Sequence, residues 1–212
     1  MIKAARWILP AALLLTTGCG LKDLFGKQTI EQYVLVLHRA ADSAIPPAGP
    51  PALPGTLTIA PYVTRGIYDD RGIVFRLDDF QLDSYQRREW AIPLREMLGT
   101  ITAEALRAKP LTAEPATFDL RSPRSNGYRW RGTVREFEEV NRGNQVLAAV
   151  HLEVELIRAS NDSVVWRGSE RIERAVPEPT KSMKRIVESL SSITGEVLAT
   201  LIERARAELA AR

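Results

Sequence analysis

The sequence predicts an α+β fold: a mixed, mainly antiparallel β-sheet packed against two amphipathic helices, at about 91–107 and 180–210. Two changes of hydrophobic period carry this expectation. Apolar residues recur at strand spacing before Pro93 and again over 128–175, and at three- and four-residue intervals over 94–106 and 183–209. Short connections at 141–144 and 159–162 carry the Gly, Asn and Asp that tight hairpins need, so the later strands should form an antiparallel meander.

The chain begins with a segment that is not part of the fold. Lys3 and Arg6 give a positive n-region, Trp7 to Leu15 an apolar h-region, and Thr16-Thr17-Gly18-Cys19 a small-residue cleavage site ending on the single cysteine. This reads as a lipoprotein signal over 1–18, leaving Cys19 as an acylated first residue, with palmitate the expected chain. The apolar run is too short for a membrane span and is interrupted by Pro10. Several acyl chains on Cys19 would make membrane attachment long-lived, since each buried methylene contributes about 0.8 kcal/mol. Gly20 follows Cys19 where an inner-membrane retention signal would carry Asp, which favours the outer membrane, periplasmic face, over the inner membrane. Residues 19–30 then form a lipidated tether, and 31–212 a single domain.

Gln32 to Leu37 is a β-branched and aromatic strand whose continuous apolar run argues for burial on both faces. Five of the thirteen prolines fall between His38 and Gly55, so that stretch is an irregular surface loop. Thr56 to Val63 alternates as a strand, with Pro61 placing a bulge or an edge near its end. A turn over 66–72 leads to a strand at 72–77, and Phe80 to Tyr85 could pair beside it. Pro93 suits the first turn of a helix that ends before Pro110. Residues 109–127 form a loop with at most a short strand around 117–120.

Strands follow at 128–140, 145–157 and 163–175. In the middle one Val146, Ala148, Val150, Leu152, Val154 and Leu156 share a core face, while Leu147 and Ala149 give way to His151, Glu153 and Glu155 on the other. The last helix aligns Met183, Val187, Leu190, Ile193, Val197, Leu201, Ala205 and Leu209, a stripe suited to lying on a sheet.

Little in the chain points to catalysis. Its two histidines, His38 and His151, stand alone without metal-ligand spacing; no phosphate-binding glycine loop or nucleophile motif occurs; one cysteine allows neither a disulfide nor thiol chemistry beyond the anchor. The formal charge of +3 falls to about +1 once Lys3 and Arg6 are removed, too small to suggest a nucleic-acid partner. No enzyme, metal or cofactor is expected. Arg129, Arg131, Arg135, Arg167, Arg171 and Arg174 interleave with Glu136, Glu138, Glu170 and Glu173, a ladder of opposed charges that reads as a solvated face or as a docking surface for a charged partner or lipid headgroups.

The segment 72–106 is the most specific. Gly72-Ile73-Val74-Phe75-Arg76, then Tyr85, then Trp90-Ala91-Ile92-Pro93 opening an amphipathic helix, resembles the ABC-type transport auxiliary lipoprotein family, which includes the paraquat-inducible protein C type lipoproteins. The lipobox, the Tyr33-Val34-Leu35 strand, the proline-rich insert and the closing helix extend the likeness over most of the mature chain. The resemblance implies a non-catalytic accessory of a mammalian-cell-entry-type ABC transport system that moves phospholipid or another hydrophobic molecule between inner and outer membranes. Its implied partners are a mammalian-cell-entry-domain substrate-binding protein, an ABC permease and an ATPase, with the membrane engaged through the anchor. Phe80, Tyr85 and Trp90 are the candidate partner or lipid contacts, because aromatic residues concentrate at interface centres; Trp90 could equally plug the helix against the sheet. The alternative function is an outer-membrane assembly or structural lipoprotein that binds a β-barrel or cell-wall partner. The edge of the meander also leaves room for homo-oligomers.

Overall fold

The computed structural model describes residues 29–37, 51–120, 127–178 and 182–211. The signal segment, Cys19, the tether up to Gln28, His38 and residues 39–50 of the proline-rich stretch lie outside the described residues.

An eight-stranded sheet carries two helices on one face. Its centre is the expected meander of β6 (Tyr128–Arg142), β7 (Gln145–Arg158) and β8 (Ser163–Ala175), paired from Tyr128↔Arg158 to Arg142↔Gln145 and from Arg158↔Ser163 to Leu147↔Ala175. Gly143 at φ 59° and Asp162 at φ 53° turn the two hairpins, the left-handed positions that Gly and Asp tolerate.

On its other side β6 holds two partners, one at each end, so the sheet forks. β2 (Leu57–Ile59) runs parallel to Tyr128–Trp130, with β5 (Thr117–Phe118) parallel beyond it. β3 (Gly72–Arg76) runs parallel to Glu138–Val140; β4 (Leu82–Trp90) pairs antiparallel with β3, and β1 (Glu31–Tyr33) lies parallel on β4. β4 is longer than its sequence suggests, running on to Trp90 where strand character was expected to end near Tyr85.

Two early strands depart from expectation. The first is not buried on both faces: pairing stops at Tyr33, whose carbonyl accepts the Ala91 N–H at 2.8 Å, and Val34 and Val36 point to solvent with only Leu35 of that run buried. β2 does not alternate, since Leu57, Thr58 and Ile59 are all buried between β6 and β5. Pro61, lacking an N–H, interrupts the pairing; it resumes at Val63, which donates to the Gly132 carbonyl at 2.8 Å. The expected bulge is therefore this interruption, and Tyr62 swings out over Gly132.

α1 (Leu94–Ala108) starts one residue after Pro93, whose carbonyl accepts the Glu96 and Met97 N–H groups at 2.9 and 3.2 Å. α2 (Met183–Ala210) lies on β7 and β8 and buries the whole stripe read from the sequence. The core fills from both sides: Val150, Leu152, Val154 and Leu156 from β7, Trp130 stacked at 6.3 Å with Trp166, and Leu190, Ile193, Val197 and Leu201 from α2. On the opposite face Val140, Leu147 and Ala149 form a small second cluster, after which the strands turn polar as expected. No helix among the described residues is long and apolar enough to cross a membrane.

Candidate interaction surface

The β3–β4 hairpin ends in a turn held by one carboxylate. Asp78 Oδ1 accepts the backbone N–H groups of Phe80 and Gln81 at 2.8 and 2.9 Å, and the Leu77 N–H donates to the Gln81 carbonyl at 3.0 Å. On this fixed backbone the Phe80 side chain stands 99% exposed, flanked by the exposed Leu77 and Leu82. Single exposed apolar residues are ordinary on a protein surface; here three of them, Leu77, Phe80 and Leu82, stand together on one braced turn. Asp78, Asp79 and Asp83 surround it with negative charge.

Behind the tip, the hairpin is fastened to β6 by two buried carboxylates on adjacent residues. Glu138 is 0% exposed; Arg76 Nε donates to its Oε1 at 2.5 Å and the Tyr68 hydroxyl donates to its Oε2. Glu139, 4% exposed, points to the other face, where the Tyr85 hydroxyl donates to Oε2 at 2.8 Å and Asn141 Nδ2 to Oε1 at 3.1 Å. Burial pushes the Tyr68 and Tyr85 hydroxyls well above the usual tyrosine range, and the hydrogen bonds to carboxylates push the same way. The Arg76 guanidinium is held in its charged form by Glu138.

These placements separate the three aromatic candidates. Phe80 alone presents its ring to solvent. The Tyr85 ring lies 4.7 Å from Phe75 and beneath the Arg88 guanidinium at 5.0 Å, half-buried, with its hydroxyl committed to Glu139. Trp90 is 2% exposed and meets Phe137 edge-on at 5.8 Å, so its ring belongs to the core that seats α1 and offers a partner no surface. Glu138, assigned from sequence to the solvated ladder, is instead sealed. Alternation accounts for Glu139, which shares the helix-covered face with Phe137, but Glu138 lies on the opposite face with Val140 and Ala149, where Tyr68 and Arg76 cover it, a long-range contact with no local mark in the sequence.

The rest of the ladder is the expected outer face. Arg131 and Arg167 share Glu155, the latter at 2.5 Å; Arg135 pairs with Glu153 at 2.6 Å; Arg171 bridges Glu136 and Glu173, both at 2.8 Å; and Arg142 reaches Glu173 at 2.6 Å. Arg135 shares this face with Arg131 by alternation, and a shift in register between Val134 and Glu136 brings Glu136 onto it as well, opposite His151. Arg174 and Glu170 leave the ladder for α2, pairing with Glu196 at 2.6 Å and Arg204 at 3.3 Å. Hydrogen bonding from Arg131 and from Arg135 holds the Glu155 and Glu153 carboxyls below the usual range. His151 Nε2 sits 2.8 Å from the Ser169 hydroxyl, and no group of three or more potential metal-ligating side chains occurs among the described residues.

Comparison with known proteins places this geometry in a family. The family model described as an ABC-type transport auxiliary lipoprotein component matches residues 34–201. Among solved structures, protein XCC0632 from Xanthomonas campestris, assigned to the family DUF330, superimposes with a TM-score of 0.66 at 20% identity, over 83% of this chain and 95% of that one. A second crystal structure, of an uncharacterized protein, gives a TM-score of 0.62 at 15% identity, over 84% and 99% of the two chains. At those identities the likeness speaks for the fold. No curated protein sequence matches the chain.

Proposed function

The chain belongs to the ABC-type transport auxiliary lipoprotein family, and on that premise we propose that it is the non-catalytic accessory of a mammalian-cell-entry-type system moving phospholipid or another hydrophobic molecule between the two membranes. In this reading Cys19 is acylated and holds the domain on the periplasmic face of the outer membrane. The β3–β4 tip is the docking element for the rest of the system: substrate-binding protein, permease and ATPase.

The observation that carries the docking role is Phe80, 99% exposed on a turn fixed by Asp78. A rigid aromatic loses little conformational freedom on binding, which suits it to fill a partner's pocket. The surrounding Asp78, Asp79 and Asp83 decide the kind of surface it meets. Three carboxylates would be repelled by an anionic leaflet, whereas an apolar pocket with a basic rim on a protein complements them.

The test is co-purification of the native lipidated chain from detergent-solubilised membranes. Recovery of a permease and ATPase with the wild type, and their loss with Phe80→Ser at unchanged melting temperature, is the expected result; an anchor residue of this kind is worth about 2 kcal/mol, roughly thirtyfold in affinity. Recovery of a β-barrel protein alone would replace this reading with that of an outer-membrane assembly or structural lipoprotein. Cys19→Ala should move the protein to the soluble periplasmic fraction, and continued sedimentation with membranes would refute the acyl anchor.

A further inference from the structure

The charge on the outer face of the meander is not evenly spread. Near the β6–β7 turn it balances, Arg142 and Arg171 facing Glu136 and Glu173. Further from that turn the face is hollowed by a cavity of about 880 Å³ whose walls include Arg65, Arg131, Arg135, Arg167 and Arg204. These five guanidiniums come from the segment after β2, from β6, from β8 and from α2, and they meet only Glu153 and Glu155 inside the hollow and Glu170 beside Arg204. The surplus is two positive charges. Arg65 is exposed and makes no ion pair among the described residues, and one carboxylate, Glu155, is divided between Arg131 and Arg167.

Guanidinium forks arranged in this way suit one class of ligand. Each carries five N–H donors in a plane, and those of Arg131, Arg135 and Arg167 are only partly used by their carboxylates. A tetrahedral phosphate offers oxygens in several directions and can accept from several forks together. Thr133 lines the same hollow. Its volume exceeds that of a bare ion and falls in the range of sites that hold a substituted small molecule. Its concave walls also distinguish it from the flat patches on which protein surfaces dock. We infer that this hollow is a binding site for a phosphate ester, with Arg65 supplying the uncommitted charge and Arg131, Arg135, Arg167 and Arg204 closing round it. The inference stands apart from the docking role of Phe80 and does not need the transport reading.

The test uses the full-length lipidated chain in uncharged detergent micelles at low salt, observed by ³¹P NMR. Glycerol 3-phosphate is the free ligand; phosphatidylglycerol mixed into the micelles presents the same ester as a lipid headgroup. Binding of either one, weakened about tenfold by Arg65→Ala, as expected for one charged hydrogen bond, and unchanged by Arg142→Ala at the balanced end, supports the site; which of the two binds identifies the source. Arg65 touches no acid among the described residues, so its removal should leave the melting temperature alone, and Arg65→Lys should restore part of the affinity. Failure of both esters to bind overturns the inference. Binding that Arg65→Ala and Arg135→Ala leave intact also overturns it, as does a site that accepts an oligoglutamate peptide but neither ester.

Discussion

Gly132 carries a structural demand that composition conceals. A Cβ there would lie 2.1 Å from the Tyr62 ring, and that ring is fixed by its hydroxyl, 2.8 Å from Thr102 Oγ1 and accepting from Trp130 Nε1 at 3.2 Å. Gly132→Ala must therefore push Tyr62 out of a buried hydrogen-bonded position, and should cost about 1–3 kcal/mol in urea unfolding, the usual range for overpacking. An unchanged midpoint would mean that the ring has room to move. Glu138 poses the converse case. Its removal would leave the partly exposed Arg76 guanidinium without its partner, so Glu138→Ala should destabilise by up to about 3 kcal/mol, while Glu138→Leu, filling the volume but not the charge, should do no better. Neither residue's role was open to composition alone. Gly132 reads as a weak point in a strand until Tyr62 is placed over it, and Tyr62 is brought there by an interruption at Pro61, far earlier in the chain, which leaves no local pattern around the Gly.

At the scale of elements, what was legible followed from local periodicity. The meander and α2 could be read because each strand or helix shows its buried face in its own residues, and because the hairpins are short. β1 and β2 were legible as strands, but their partners and the fork were not, since parallel pairing to β4 and β6 brings together segments far apart in the chain and leaves no local mark; Val34 and Val36 look like core until the chain is seen to leave the sheet at Tyr33. The same fork sets the response to pH. Burial raises the Tyr62 hydroxyl to about 12 and lifts those of Tyr68 and Tyr85 as well. A group whose folded value lies above its unfolded value of about 10 contributes stability that is complete below that pH and is lost as pH rises through the folded value. The urea midpoint should thus hold steady up to about pH 10 and fall beyond it. On the acid side the signs reverse. Glu155, Glu153 and Glu196 are held below the usual carboxylate range by Arg131, Arg135 and Arg174, so their contribution is present above that range and drains as pH falls through their lowered values. A midpoint that stayed level well above pH 10 would argue that the three tyrosines are less enclosed than this fold makes them.

At the scale of the whole molecule, the fork separates two surfaces of opposite character. β3 runs parallel to β6 with Arg76 opposite Val140, so the Phe80 turn continues past the C-terminal end of β6, while the arginine hollow is built around Arg131 and Arg135 nearer its start. Nine residues of strand from Arg131 to Val140 span about 30 Å at the rise of a β-strand. One surface is apolar with an acidic rim, the other recessed and basic, and between them stand the Glu138 and Glu139 attachments. Sites this far apart with no shared partner behave independently unless a two-state element joins them. Phe80→Ser should therefore abolish recovery of the permease and ATPase while leaving phosphate-ester binding at its wild-type strength, and Arg65→Ala should do the reverse. The double variant should combine the two losses without excess. If Phe80→Ser instead weakened ester binding severalfold, the two ends would be coupled, and the buried carboxylates that fasten β3 to β6 would be the first place to look for the element that moves.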